Sequence, residues 1–285
     1  MLLDNPKDLK AWKREVLRDV RRHLSRRDML KAAAVGAGLL AGGGLLFGRK
    51  AQAQPASEPA RPQPATTVSG GGLTPPKAVT TGTFYFPRVM FHVKDETGDQ
   101  WNTDPVGDAI LRRRLADLTN VNVSQDPVVV RLADIDHMCR YPFVFMTSEG
   151  YFQLPKNEEA NLKEFLSRGG FCHADDCVFQ NQDRFFHDYV KLINRLFPDN
   201  PMRLIPKDHE LYHCYFDLPD GAVYCQGEKG VGGDWGLFEK GTGRLMTFAS
   251  AGDIHCGWMS KYFTPEKNEA ALRMGVNIII YYLTH

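Results

Sequence analysis

From Thr83 to the C-terminus, short apolar runs alternate with stretches of helical periodicity. Phe84–Val93 is dense in aromatic and β-branched residues and predicts a strand. A helix follows from Asp104, with Pro105 at its first position, to about Leu118. Short apolar strands are expected at Val128–Leu132 and Phe143–Thr147. Glu158–Arg168 reads as a helix, with acids in its first turn, Leu162, Phe165 and Leu166 on one face, and Gly169 to end it. Phe171–Ala174 is a buried strand, and Asp183 caps a helix whose Phe186, Tyr189, Val190, Ile193 and Phe197 share a face up to Pro198. A further short strand is expected near Arg203–Ile205.

Trp235–Glu239 and Arg244–Ala249, joined by Lys240-Gly241-Thr242-Gly243, have the pattern of a β-hairpin. The last helix takes Thr264 as cap and Pro265 as first residue and runs to about Leu283. Apolar strands alternating with amphipathic helices predict an α/β fold with an open, mostly parallel sheet, helices on both faces, and a hairpin toward the C-terminus. In such sheets ligands bind beyond the carboxyl ends of the strands, so polar clusters just after strands are the places to look.

Upstream the pattern changes twice. Residues 54–81 contain prolines at 55, 59, 62, 64, 75 and 76 and the run Gly70-Gly71-Gly72, which predicts an extended linker. Residues 1–53 contain Ser25-Arg26-Arg27-Asp28-Met29-Leu30-Lys31, a glycine-rich apolar run from Ala32 to Phe47, and Ala51-Gln52-Ala53. This order resembles a twin-arginine export signal, with Met29 where Phe is usual. The resemblance implies the export machinery as a partner, cleavage after Ala53 and a periplasmic protein. The alternative is an uncleaved signal that anchors the chain in the inner membrane. An apolar run of 16 residues is short for a span, which needs about 20. The folded domain is then one unit, 82–285.

Charge sharpens this division. The 285 residues carry 35 Lys/Arg and 34 Asp/Glu, but 12 of the basic and only five of the acidic side chains fall in 1–53. The rest of the chain is acidic and has no basic stripe with interleaved aromatics, which argues against nucleic acid as a partner. The six cysteines, Cys139, Cys172, Cys177, Cys214, Cys225 and Cys256, all lie in the body. An even number bound for an oxidising compartment permits disulfides, while a core of this size can equally hold them as buried thiols.

Three polar clusters mark candidate chemistry. Asp175 and Asp176 leave a buried strand together in Cys172-His173-Ala174-Asp175-Asp176-Cys177, where a helix start needs only one capping acid. In Asp208-His209-Glu210-Leu211-Tyr212-His213 the two histidines are four apart, so on a helical turn they would share a face and could reach one divalent metal, or act as a structural or ligand-binding pair. Ser250-Ala251-Gly252-Asp253-Ile254-His255-Cys256-Gly257-Trp258 follows a strand directly; Asp253 or His255 could serve as acid or base there, with Trp258 as an apolar wall or stacking surface. Glu149 is a further carboxylate on the same rim.

These segments also carry a resemblance. Tyr141-Pro142-Phe143-Val144-Phe145-Met146-Thr147, Gly169-Gly170-Phe171, Ala174-Asp175-Asp176-Cys177, Phe197-Pro198, Asp208-His209 with His213, Gly243-Arg244-Leu245, Asp253 with Cys256-Gly257-Trp258, and the stretch from Ala271 to His285 together look like the domain of unknown function family 4159. Trp101 and Asp104-Pro105 belong to the same set. The resemblance implies a flavodoxin-like, class I glutamine amidotransferase-like sandwich in a bacterial cell-envelope setting, and no established reaction. Two departures bear on chemistry. Where the family commonly reads Thr-Gly-His-Gly, this chain has Thr147-Ser148-Glu149-Gly150. The Gly-x-Cys-x-Gly elbow of true amidotransferases is also absent, and Cys177 follows two acids that disfavour its thiolate.

Two functions follow as expectations. One is a ligand-binding or assembly module of the cell envelope with an inner-membrane or envelope protein partner. The other is a metal-dependent or carboxylate/histidine hydrolase built from Asp175, Asp176, His209, His213 and Asp253. Convergence of those five residues is the geometric question that separates them.

Overall fold

Seven strands pair into one mixed sheet: β1 (Pro87–Met90), β2 (Val128–Arg131), β3 (Phe143–Ser148), β4 (Phe171–Asp176), β5 (Arg203–Leu204), β6 (Trp235–Phe238) and β7 (Leu245–Ser250). Their order across the sheet is β2-β1-β3-β4-β7-β6-β5. The first five in that order are parallel, and β6 and β5 add on antiparallel. The computed structural model describes residues 82–92, 100–178, 182–227 and 231–285. The signal expected over 1–53 and the linker expected over 54–81 lie outside them.

Helices cover both faces. α1 (Val106–Leu118) and α6 (Pro265–Thr284) pack on one side, where Leu111, Leu115, Met274 and Ile278 meet Phe86, Phe143, Phe145 and Phe248 of the strands. α3 (Lys156–Ser167) and α4 (Arg184–Leu196) pack on the other, bringing Leu162, Phe165, Phe185, Tyr189 and Ile193 against Val144, Met146 and Met246. Two short helices, α2 (Ile135–Met138) and α5 (Ile254–Gly257), sit in connections. Burial on both faces explains why β3, β4 and β7 are buried at all six positions rather than at alternate ones. The chain is thus an α/β protein with a mostly parallel sheet.

Several expected elements shift at their ends. Of the strand expected from Phe84, only Pro87–Met90 joins the ladder, while Phe84 makes an isolated parallel bridge to Val123. Pro87 has no N–H to give and occupies the first strand position, where none is needed. α1 starts one residue later than expected, at Val106, and Pro105 becomes its N-cap. β6 and β7 form the hairpin, with Gly241 (φ 90°) and Gly243 (φ 72°) supplying the left-handed backbone of its turn. Thr264 caps α6 by accepting from the Lys267 amide. No described helix is long and apolar enough to cross a membrane.

This frame lines up the strand ends that matter. Ser148 pairs with Asp176 and Asp175 with Ser250, so β3, β4 and β7 stop at one level. The chain runs outward from β1 to β2, then returns to place β3 on the other side of β1. In open α/β sheets such a reversal, beyond the carboxyl ends of the strands, is where ligands sit.

Candidate functional site at the carboxyl edge of the sheet

β4 delivers two buried acids to opposite faces, because successive strand residues alternate sides. Asp175 Oδ2 accepts from the His255 amide at 2.7 Å, fastening the start of α5. Asp176 Oδ2 accepts from the Phe186 amide at 2.7 Å, fastening the first turn of α4. Asp183, expected to cap α4, stands at the N-cap position but makes no side-chain capping bond. Both acids of β4 therefore bind backbone amides, and each keeps Oδ1 without a hydrogen-bond partner among the described residues. Burial pushes both carboxyls well above their ordinary range, and the neighbouring charge of Asp253 adds to the effect at Asp175.

β7 delivers the third acid. After Ser250 the chain turns sharply, and Asp253 adopts a left-handed conformation (φ 56°) before α5 begins. Asp253 is 3% exposed, its Oδ1 has no hydrogen-bond partner among the described residues, and burial raises its carboxyl to about 7. His255, two residues on, is fully buried against a charged group that reaches in from β1. Arg88 binds Asp108 of α1 through two nitrogens at 2.9 and 2.6 Å, donates to the Thr103 carbonyl at 2.6 Å, and lies 2.9 Å from His255 Nε2. A guanidinium only donates, so Nε2 is the acceptor and the ring is neutral, with its proton on Nδ1. Asp108 Oδ1, 3.4 Å from the same nitrogen, is taken by Arg88 instead. Burial depresses His255 accordingly. At Asp108 burial pulls the other way, but the Arg88 guanidinium holds the carboxyl below its usual value.

Two cysteines complete this edge. Cys177 Sγ, just past β4, lies 3.3 Å from Cys256 Sγ on α5, 3.5 Å from Thr103 Oγ1 and 3.9 Å from Glu149 Oε1. All six cysteines are free thiols. The bond with Cys256 lowers the Cys177 thiol, but burial and the charges of Asp253 and Glu149 outweigh it and the net shift is upward. Cys256 is raised as well, by its bond to Cys177 and by burial. Neither is poised as a thiolate nucleophile at neutral pH.

The five residues proposed for a hydrolase do not meet at one point. Asp175 and Asp253 share a side, Asp176 faces α4, and the histidines lie at the opposite end of the sheet. Glu210–Tyr212 forms a single 3-10 turn, so His209 and His213 do not share an α-helical face. His209 is the cap of that turn, with Nδ1 accepting from the Leu211 amide and its ring packed against Phe238 and Tyr281. Phe238 pairs with Leu245 where β7 begins, which puts His209 at the amino edge. His213 bonds Asp217 at 2.6 Å and the Lys207 carbonyl at 2.8 Å. Trp258 is 1% exposed, ringed by Phe86, Phe145, His173 and His255, so it is an interior wall without an open stacking face.

Arg88, Asp108 and the Cys177–Cys256 pair were not singled out from the chain. Arg88 had a signal: in strand alternation it shares a face with Phe84 and Phe86, an arginine in line with core aromatics. Gly107 had none, yet a Cβ there would come within 2.9 Å of His255 Nε2, so α1 can approach α5 only with glycine at this position.

Comparison with known families agrees with the order of these motifs: residues 89–283 match the model described as Domain of unknown function (DUF4159). The chain belongs to this family. The matched span of the DUF4159 domain includes every strand except the first two residues of β1, and every residue of the carboxyl edge but Arg88. No curated protein matches the chain.

Proposed function

We propose that this DUF4159 protein is an exported cell-envelope module that binds a ligand at the carboxyl edge of its sheet, beside the β1–β3 reversal. The observation that carries this reading is the gathering of Asp175, Asp253, Glu149, Cys177 and Cys256 at that edge, with Oδ1 of both Asp175 and Asp253 left without a hydrogen-bond partner among the described residues. Counted among themselves, the five parallel strands run 2-1-3-4-5, the order of flavodoxin-like sheets, whose ligands sit at this reversal. That order supports a flavodoxin-like, amidotransferase-like assignment. The twin-arginine pattern at Arg26-Arg27 supports export to the periplasm, with retention by an uncleaved signal as the alternative. An amidotransferase reaction lacks support: its nucleophile elbow is missing and the thiol at Cys177 is raised.

Hydrolysis has one observation on its side, since unpartnered oxygens of Asp175 and Asp253 could hold a water. Native mass spectrometry of the protein recovered from the periplasmic fraction separates the readings. A small-molecule mass retained by the wild type and lost in Glu149→Gln supports binding. An empty protein that turns over a panel of chromogenic esters and amides overturns it in favour of hydrolysis.

A further inference from the structure

We infer that Cys177, Cys256 and Asp253 form a binding site for one divalent cation of zinc type. One ligand atom from each lies within 4.8 Å of the other two, and all three residues are buried. Among the described residues no other histidine, cysteine or acidic group makes such a cluster. Asp253 supplies the independent sign of a missing ligand: it is 3% exposed, and its Oδ1 has no hydrogen-bond partner among the described residues.

Sulfur geometry favours an ion over a disulfide. Two thiolates about 2.3 Å from a tetrahedral zinc lie about 3.8 Å apart. The observed separation of 3.3 Å needs a small outward adjustment to reach that spacing. A disulfide at about 2.05 Å would need a larger approach. Two thiolates with one carboxylate suit a borderline-soft ion better than calcium or magnesium, which take oxygen ligands. On binding, the two thiol protons and any proton on Asp253 pass to solvent, leaving three negative ligands on a doubly positive ion. Three protein ligands leave a fourth position, and Glu149, 3.9 Å from Cys177 Sγ, lies within reach of it. The inference deepens the binding reading, since the ion would lie where that reading places its ligand.

The test is metal content of the untagged protein purified from the periplasm, before and after dialysis against zinc. About one zinc per chain is expected for the wild type and for Cys214→Ser, and below about a tenth for Cys177→Ser and Cys256→Ser. If the serine variants fail to fold, cobalt replaces zinc in the wild type, and a thiolate-to-cobalt charge-transfer band gives the same support. A wild type that takes up neither metal, or that carries a Cys177–Cys256 disulfide on non-reducing peptide mapping, overturns the inference. A small-molecule mass retained by metal-free protein would overturn the ion alone, and zinc bound with no such mass would overturn the ligand reading alone.

Discussion

Arg88 shows how one side chain joins three elements. It pairs with Asp108 of α1, donates to the Thr103 carbonyl and holds His255 of α5 neutral, all from a position 2% exposed on β1. Removing one member of a buried pair leaves the other charged and unpaired, at a cost of about 3–5 kcal/mol. Arg88→Met should therefore lower unfolding free energy by roughly that amount in denaturant titration, and adding Asp108→Asn should recover part of it. Asp234 poses the opposite case. Its Oδ2 accepts from Tyr212 and the Ala222 amide, while burial raises the carboxyl to about 6. A folded carboxyl above its unfolded value of 3.8 keeps a proton that the unfolded chain releases, so stability falls as pH rises from about 4 to 6. By pH 7 the cost is about 3 kcal/mol. Asp234→Asn keeps an acceptor for Tyr212 and drops the charge, and titrations across that window should show a flatter pH dependence.

At the scale of elements, the helix at Arg184–Leu196 is held at its start by a strand. Its own N-cap, Asp183, makes no capping bond, and Asp176 at the end of β4 receives the Phe186 amide instead. Local pattern pointed to Asp183 because N-cap preference reads the adjacent residue, whereas the partner here is ten positions away. Asp176→Ala should cost about 1–2 kcal/mol and speed hydrogen exchange at the Phe186 amide, while Asp183→Ala should change stability by less than about 0.5 kcal/mol. An Asp176→Ala cost below about 0.5 kcal/mol would show that the tertiary cap carries no weight. The histidine pair fails for a related reason. Spacing of four places two side chains together only on an α-helix, and the short segment after Pro206 closes as one 3-10 turn against Tyr281.

Across the whole molecule, the small net charge of +1 hides an uneven division, with the basic excess confined to residues 1–53 and an acidic body after it. That division fits an address followed by cargo. Replacing Arg26 and Arg27 together by lysine should leave the protein in the cytoplasmic fraction, against a periplasmic or membrane fraction for the wild type, as read by fractionation and immunoblotting. Unchanged distribution would remove the export reading. The acids of the body are also unevenly placed: Asp175 and Asp253 lie buried together at the edge where β3, β4 and β7 end.

The chain by itself determined the class of fold and most of its elements, because apolar periodicity, proline at strand and helix starts and glycine in turns act over a few residues. It also marked β4 and β7 as the strands that end in acids. Which acids share a side was decided by tertiary structure. Alternation along β4 sends Asp175 and Asp176 to different faces, and only the parallel neighbour β7 brings Asp253 and Cys256 beside Asp175 and Cys177. The residues at that edge lie up to 167 positions apart, as Arg88 and His255 do, and contacts of that separation leave no periodic trace in the chain.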